Sequence, residues 1–259
     1  MGEKGIILKK VSDLSDKVIA YGAGLQNTSN KRQVPPITRA ALERLHEAAI
    51  TYHRAVLCLA ENGWAQNSNP LLRTMIELII NCAVITEKDS EIMSFRCFAF
   101  ENLRIALTTE ELELTKKELR EYLFGYLSEE NKQSAENYMA KKEYGYFWYS
   151  DIYRGPTDVL QKIAPVWLHA YNIGGSAVHG GQIGYKFFDQ QKNSRDINAR
   201  QDPYPANLSA IFSIRYLLEF SMVRDRFEGA NLEHYYKEYV QELSGLKSLI
   251  ESAGVDKIV

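Results

Sequence analysis

The chain has 259 residues, of which 45% are hydrophobic and 25% are charged, and its formal net charge is −2. These proportions are ordinary for a folded globular protein and exclude a chain that is disordered throughout. The small net charge excludes a global electrostatic attraction to nucleic acid or to an anionic membrane, so any such binding would need a local basic patch.

Residues 1–34 are polar, contain several glycines and show only weak periodicity. They predict a loose N-terminal arm or lead-in segment, followed by a single all-helical domain over residues 35–259. Through most of that domain, apolar residues recur at helical spacing between proline, glycine and N-cap signals. The predicted helices are approximately 35–63, 69–87, 91–107, 110–127, 129–143, 157–181, 206–227 and 232–252. Without credible strand pairs, the pattern predicts an all-α fold, a helical bundle of about seven or eight helices.

Three of the helix starts have specific signals. Asn69 can accept a hydrogen bond from the first backbone amides of a helix, and Pro70 suits the first helical position because it has no N–H to satisfy. Thr109 and Ser128 are the predicted N-caps of two later helices.

The most apolar segment is MIELIINCAVI, about eleven residues that include Glu77 and Asn81. A membrane span needs roughly twenty apolar residues, so we expect no membrane segment. The three cysteines form no C-x-x-C pair and lie among apolar neighbours, which favours reduced core residues over disulfides or a metal site. We therefore expect a cytoplasmic protein that carries no metal and no cofactor.

One E-x-x-H element, Glu43 with His46, has a spacing that di-iron helical bundles use. Such sites need a second element of this kind and two further glutamates. No other histidine in the chain follows a glutamate by three residues. The sequence therefore does not predict a di-metal site.

The helix that contains MIELIINCAVI is apolar nearly all round, apart from one polar stripe. Arg73, Glu77 and Asn81 stand at i, i+4 and i+8, so their side chains share a narrow face. This stripe has two interpretations. It can meet solvent, with Arg73 and Glu77 as an exposed ion pair. Alternatively it can face inward onto a polar cavity, where a buried arginine needs a partner such as Glu77.

A second polar stripe lies in YNIGGSAVHGG, residues 171–181. Asn172, Ser176 and His179 fall at i, i+4 and i+7, again on one helical face. The glycines between them weaken a helix by roughly 1 kcal/mol each relative to alanine, and close approach of another backbone is a common reason to keep them. We expect the helix that carries Arg73 to pack there. His179 then either transfers protons or anchors the end of its helix as a structural hydrogen-bonding group.

These segments, together with the aromatic FWYSD, resemble the domain of unknown function 5677 family. The shared pattern is an R-x-x-x-E helix, a Trp-Tyr element and an S-x-x-H-G ending. The matching residues are Arg73 with Glu77, Trp148 with Tyr149, and Ser176 with His179 and Gly180. The resemblance covers roughly residues 54–185 and implies an all-helical fold, without implying an activity.

A wider similarity is to the HEPN superfamily of helical ribonucleases and toxins, whose active sites pair an arginine with a histidine and are commonly completed at a dimer interface. Here the arginine would be Arg73, from the neighbouring helix. The similarity implies metal-independent RNA cleavage by a homodimer. His179 would act as general base or acid on the ribose 2′-hydroxyl, Arg73 would stabilise charge on the phosphate, and Glu77 would position Arg73. Ser176 or Asn172 would orient either partner.

Further substrate contacts are predicted from Asn81, on the first stripe, and from Trp148 and Tyr149, whose rings can stack on bases. An aromatic run of this kind is more often part of a core. Two functions therefore remain open. The chain is either a defence or toxin enzyme directed at RNA or another phosphodiester, or a non-catalytic helical module whose buried polar network fixes packing or binds a small ligand.

Overall fold

A computed structural model describes residues 3–25, 33–62, 64–141, 144–163 and 203–255, together with residues 165, 168, 171 and 172. Within these ranges the chain forms nine α-helices and a short 3-10 turn, with no β-strand. The helices are α1 (Glu3–Gly24), α2 (Pro36–Glu61), α3 (Ala65–Glu87), α4 (Ser90–Ile105), α5 (Thr109–Leu123), α6 (Glu129–Met139), α7 (Pro156–Ile163), α8 (Pro203–Glu228) and α9 (Glu233–Val255). The predicted all-α helical bundle is confirmed.

Helix α8 lies at the centre of this bundle. It packs against α1, α2, α3 and α9, and α2 and α3 also pack against each other. Because it has neighbours on several sides, its apolar residues are buried around most of its circumference, among them Ile214, Leu217 and Phe220. Helix α4 packs on α2 and α3 and carries α5 and α6 on its other side, whereas α7 rests on α3.

The segment predicted over residues 1–34 as a loose arm or lead-in is helical in its first part, where residues 3–24 form α1. Five of its apolar residues are at most 5% exposed and stand three or four positions apart: Ile7, Val11, Leu14, Val18 and Tyr21. That spacing gives the helix one continuous apolar side, which packs on α8 and α9. The surrounding glycines and lysines hid this period in the sequence.

Helix starts agree with their sequence signals to within a few residues. Ser128 caps α6 as predicted. The cap of α5 is Thr108 rather than Thr109, because Thr108 and Glu111 form a reciprocal capping box. Helix α3 begins at Ala65, so Pro70 lies inside the helix instead of starting it.

One stretch of the described chain, Asn67–Glu87 in α3, is long and apolar enough to cross a membrane by length and composition alone. It is longer than the eleven-residue apolar segment recognised in the sequence. In the bundle, 56% of its most apolar window is buried against other helices. This burial is typical of the core helix of a soluble protein.

Glu43 and His46, the E-x-x-H element of α2, face a guanidinium rather than other metal ligands. Arg224 of α8 lies with one terminal nitrogen 3.5 Å from His46 Nδ1 and the other 3.8 Å from Glu43 Oε1. The main partner of Arg224 is Glu228, one turn further along α8. A positive side chain therefore occupies the position that a cation would need.

His53, two turns further along α2, is fully buried between two serines. Its Nδ1 lies 2.9 Å from Ser213 Oγ, and the Ser213 hydroxyl donates to the carbonyl of Ala210 at 2.8 Å. Ser213 therefore accepts from Nδ1–H, and Nε2 accepts from the Ser15 hydroxyl at 2.7 Å. This neutral imidazole joins α1, α2 and α8.

Stability should fall in mild acid because of these two histidines. Burial, with Arg224 beside His46 and Arg54 near His53, lowers both pKa values to about 4. In the unfolded chain each takes up a proton near pH 6.5, so their contribution is complete above that pH and is lost as the pH falls toward 4. Between pH 7 and pH 5, we expect the free energy of unfolding in denaturant titrations to drop by about 2 kcal/mol per histidine. His53→Gln should reduce this drop, and equal stability of the wild-type protein at pH 7 and pH 5 would contradict the prediction.

Gly22 of α1 is required by close packing. A Cβ added there would lie 2.2 Å from Cε1 of His46, so Gly22→Ala should destabilise the protein by about 1–3 kcal/mol despite the better helix propensity of alanine. Gly245 of α9 is the matched control, because a Cβ there meets nothing within 4 Å. Gly245→Ala should instead stabilise by about 0.5–1 kcal/mol. Thermal unfolding of both variants tests the pair, and a Gly22→Ala protein as stable as wild type would show that α1 does not pack on His46 in this way.

Candidate functional site

The predicted stripe of α3 is formed and faces other parts of the chain. Arg73 Nε donates to Glu77 Oε1 at 3.1 Å, and the two side chains are 21% and 39% exposed. Most apolar side chains of α3 are buried, and the helix packs against α2 and α8. The stripe is therefore neither fully solvated nor sealed in the core, but lies half-buried on the accessible side of the helix.

Tyr171 joins Arg73 and Glu77 in a triangle of hydrogen-bonded side chains. Its hydroxyl accepts a hydrogen bond from a terminal nitrogen of Arg73 at 3.0 Å and donates to Glu77 Oε1 at 3.2 Å. The guanidinium carbon also lies 4.6 Å from the centroid of the Tyr171 ring, within range of a cation–π contact. Three side chains from two segments thus fix one another.

The surroundings of Arg73 and Tyr171 fix the protonation states of these two groups. Burial and the nearby Glu77 carboxylate raise the pKa of Tyr171, so its hydroxyl remains protonated. Burial disfavours the charged form of Arg73, but the hydrogen bonds to Glu77 and Tyr171 outweigh that effect and raise its pKa. The site therefore presents a permanently cationic guanidinium with a fixed orientation.

Further along the stripe, Asn81 is held by the aromatic segment. Trp148 Nε1 donates to Asn81 Oδ1 at 3.1 Å, which leaves the Asn81 amide nitrogen as a directed donor. Trp148 is 6% exposed and Tyr149 is 3% exposed, and their rings pack edge to face with centroids 5.1 Å apart. The structure places both rings in the core, as the more common interpretation of such a run anticipates, and their contacts position Asn81 rather than present a stacking surface.

Ser176 and His179 lie outside the described residues. Asn172 is exposed and follows Tyr171 in a helical turn. The expected approach of α3 to this segment is thus observed at Tyr171, and the roles of Ser176 and His179 stay predictions.

Tyr171 is the site residue that the sequence analysis missed. It lies 98 residues from Arg73 in sequence, and the helical spacing predicted from the sequence does not group it with Asn172, Ser176 and His179. The only sequence signal is its position at the start of the glycine-rich segment YNIGGSAVHGG. Among the described residues, no group of three or more His, Cys, Asp or Glu side chains is arranged to hold a metal ion.

The fold and the site together define a class: an all-α bundle in which an R-x-x-x-E helix, a Trp-Tyr element and the Tyr171 segment meet along one helix face. A model of DUF5677, a family of unknown function, matches residues 39–245, which is well over half of the chain. The protein therefore belongs to DUF5677, and the resemblance inferred from its motifs is confirmed. No curated protein and no solved structure matches the chain.

The Tyr171 hydroxyl should contribute measurable stability. Tyr171→Phe keeps the ring under Arg73 but removes two hydrogen bonds, so we expect a loss of about 1 kcal/mol in the free energy of unfolding. Tyr146→Phe is the control, because Tyr146 is 82% exposed and its change should cost less than about 0.5 kcal/mol. Urea denaturation measures both, and a Tyr171→Phe protein indistinguishable from the control would mean that the triangle does not form in solution.

Proposed function

We propose that this protein is a metal-independent enzyme that cleaves RNA or a related phosphodiester, and that it acts in the cytoplasm as a defence or toxin protein. The observation that carries the proposal is the fixed, charged and partly exposed guanidinium of Arg73. A phosphate in a transition state gains most from a cation that is already oriented, since no reorganisation is needed during the reaction.

The contacts of Arg73 suit this role. Its bonds to Glu77 and Tyr171 use Nε and one terminal nitrogen, and its side chain remains 21% exposed. The other terminal nitrogen would donate to a phosphate oxygen. In this arrangement Glu77 and Tyr171 are positioning residues, and Arg73 is the residue that touches substrate.

Asn81 supports the same role for this face of α3. It is part-buried, and its side-chain oxygen is occupied by Trp148 at 3.1 Å, so its amide N–H groups point away from that bond. They would donate to the substrate beside Arg73. Trp148 and Tyr149 act through Asn81, which revises the base-stacking role that the sequence suggested for them.

His179 would supply the proton transfers. It follows Tyr171 by eight residues, and covalent geometry alone keeps the two within about 28 Å. As general base, His179 would take the proton of the ribose 2′-hydroxyl; the 2′-oxygen would attack phosphorus, and the 5′-oxygen would leave and receive a proton. Ser176 and Asn172 would orient the reacting groups, and by similarity to HEPN-type ribonucleases a second copy of the chain would complete the site.

A second candidate is a non-catalytic module. One observation favours it: the polar side chains of this face all have hydrogen-bond partners within the chain, namely Arg73, Glu77, Asn81 and Trp148. Side chains whose only role is to fix packing are bonded in the same way. In that case the polar stripe stabilises the bundle or binds a small ligand.

An RNA cleavage assay in chelator separates the two candidates. With total cellular RNA and tRNA as substrates, wild type should cleave, and Arg73→Ala and His179→Ala should each lose at least about 100-fold in rate. Arg120→Ala is the matched control, since Arg120 also pairs through Nε and a terminal nitrogen with a glutamate, Glu136, at 2.6 and 2.8 Å. It should retain the wild-type rate.

Two other results of this assay would contradict the proposal. If wild type does not cleave either substrate and His179→Ala merely lowers stability by about 1–3 kcal/mol, the enzyme proposal fails in favour of the module. Cleavage that all three arginine and histidine variants retain would instead place the activity elsewhere in the protein.

A further inference from the structure

Away from the Arg73 face, the end of α4 and the length of α5 enclose an open groove of about 500 Å³. Its floor is apolar, with Phe98 from α4 and Leu119 and Leu123 from α5. The more exposed Ile105, Leu107 and Tyr122 also line it. We call this the α4–α5 groove.

The side chains along its edges are unusually exposed for their type. Ile105 is 65% exposed, Leu107 90% and Tyr122 72%. Single exposed apolar residues are common on soluble proteins, but a group of them around a concave apolar floor is typical of a binding surface.

The charge of the α4–α5 groove has one sign. Glu111 and Glu118 line it, and no lysine or arginine is among its lining residues. Backbone hydrogen bonds from Leu107 and Thr108 lower the pKa of Glu111, so this carboxylate is ionised. Glu118 forms no ion pair within the described part of the chain. The C-terminus of α4, which carries partial negative charge, ends beside the same groove, and Arg104 in its last turn lies over the Phe100 ring and does not line the groove.

The basic residues of α5 are turned elsewhere and are already paired. Lys116 bonds Glu113 at 2.8 Å, and Arg120 bonds Glu136 of α6. They do not neutralise the groove, which combines an apolar floor with an acidic wall.

We propose that the α4–α5 groove docks a basic amphipathic helix of a partner protein. Apolar side chains of that helix fill the floor between Phe98 and Leu119, while its lysines or arginines face Glu118 and Glu111. The stretch from Glu111 to Tyr122 rises about 17 Å along α5, which matches roughly three turns of a partner helix.

The same charges argue against a second copy as the occupant. In a two-fold symmetric contact the surface meets itself, so Glu111 and Glu118 would face the same carboxylates of the partner subunit without basic groups between them. A cationic partner removes that repulsion and gives complementary charge.

The test uses a fluorescent peptide of leucine and lysine placed at helical spacing, and a second peptide with glutamate in place of every lysine. In fluorescence anisotropy, the basic peptide should bind the full chain saturably and the acidic one should not. Glu118→Lys and Leu107→Ser should each weaken binding at least tenfold. Two matched controls, Glu47→Lys on the exposed side of α2 and Tyr146→Ser, should stay within about twofold of wild type.

Three outcomes would overturn the proposal. The first is that the basic peptide does not bind saturably, and the second is that the groove variants and the control variants weaken binding equally. The third is that Leu107→Ser changes the protein from a dimer to a monomer in sedimentation. The last result would show that a second copy covers the groove. All four positions are exposed, and circular dichroism of each variant checks that its fold is retained.

Discussion

A fully buried guanidinium organises the centre of this protein. Arg224 has no exposed surface, and an unpaired charge at such a place would cost several kcal/mol. Its main partner, Glu228, lies on the same helix, and His46 and Glu43 of α2 lie 3.5 and 3.8 Å from its terminal nitrogens, so the buried charge favours one register of α2 on α8. The next residue, Asp225, accepts from the Tyr21 hydroxyl at 3.0 Å and from the Leu232 amide, which ties α1 and the start of α9 to the same point.

That arrangement explains where the candidate site lies. Helix α3 packs against both α2 and α8, so most of its apolar side chains are buried in the core, and the polar face of Arg73, Glu77 and Asn81 is left to contact other segments. The chain covers this face with two later segments, through Tyr171 at one end and Trp148 at the other. Two of the three motifs shared with the DUF5677 family therefore lie on this face: the R-x-x-x-E helix provides Arg73 and Glu77, and Trp148 of the Trp-Tyr element bonds Asn81.

The two polar clusters differ in a way that bears on function. Arg224 is fully buried between α2 and α8, and burial together with its charge leaves His46 neutral with a pKa of about 4. Arg73 is equally well paired but is 21% exposed. A cluster without access to solvent stabilises the fold and fixes register, whereas an oriented cation that a ligand can reach is available for binding or catalysis. Because of this difference in exposure, we expect binding or catalysis at Arg73 of α3 and a structural role for Arg224 of α8.

The sequence by itself determined the helical class, most helix positions and the Arg73–Glu77 stripe, because these follow from local spacing along the chain. It also singled out the motifs that place the protein in its family. Tertiary structure decided the rest: that α1 packs into the core, that Trp148 and Tyr149 are buried, and that Tyr171 completes the arginine site from 98 residues away. A helical period shows that a face exists, but only the packing of distant segments decides what that face meets.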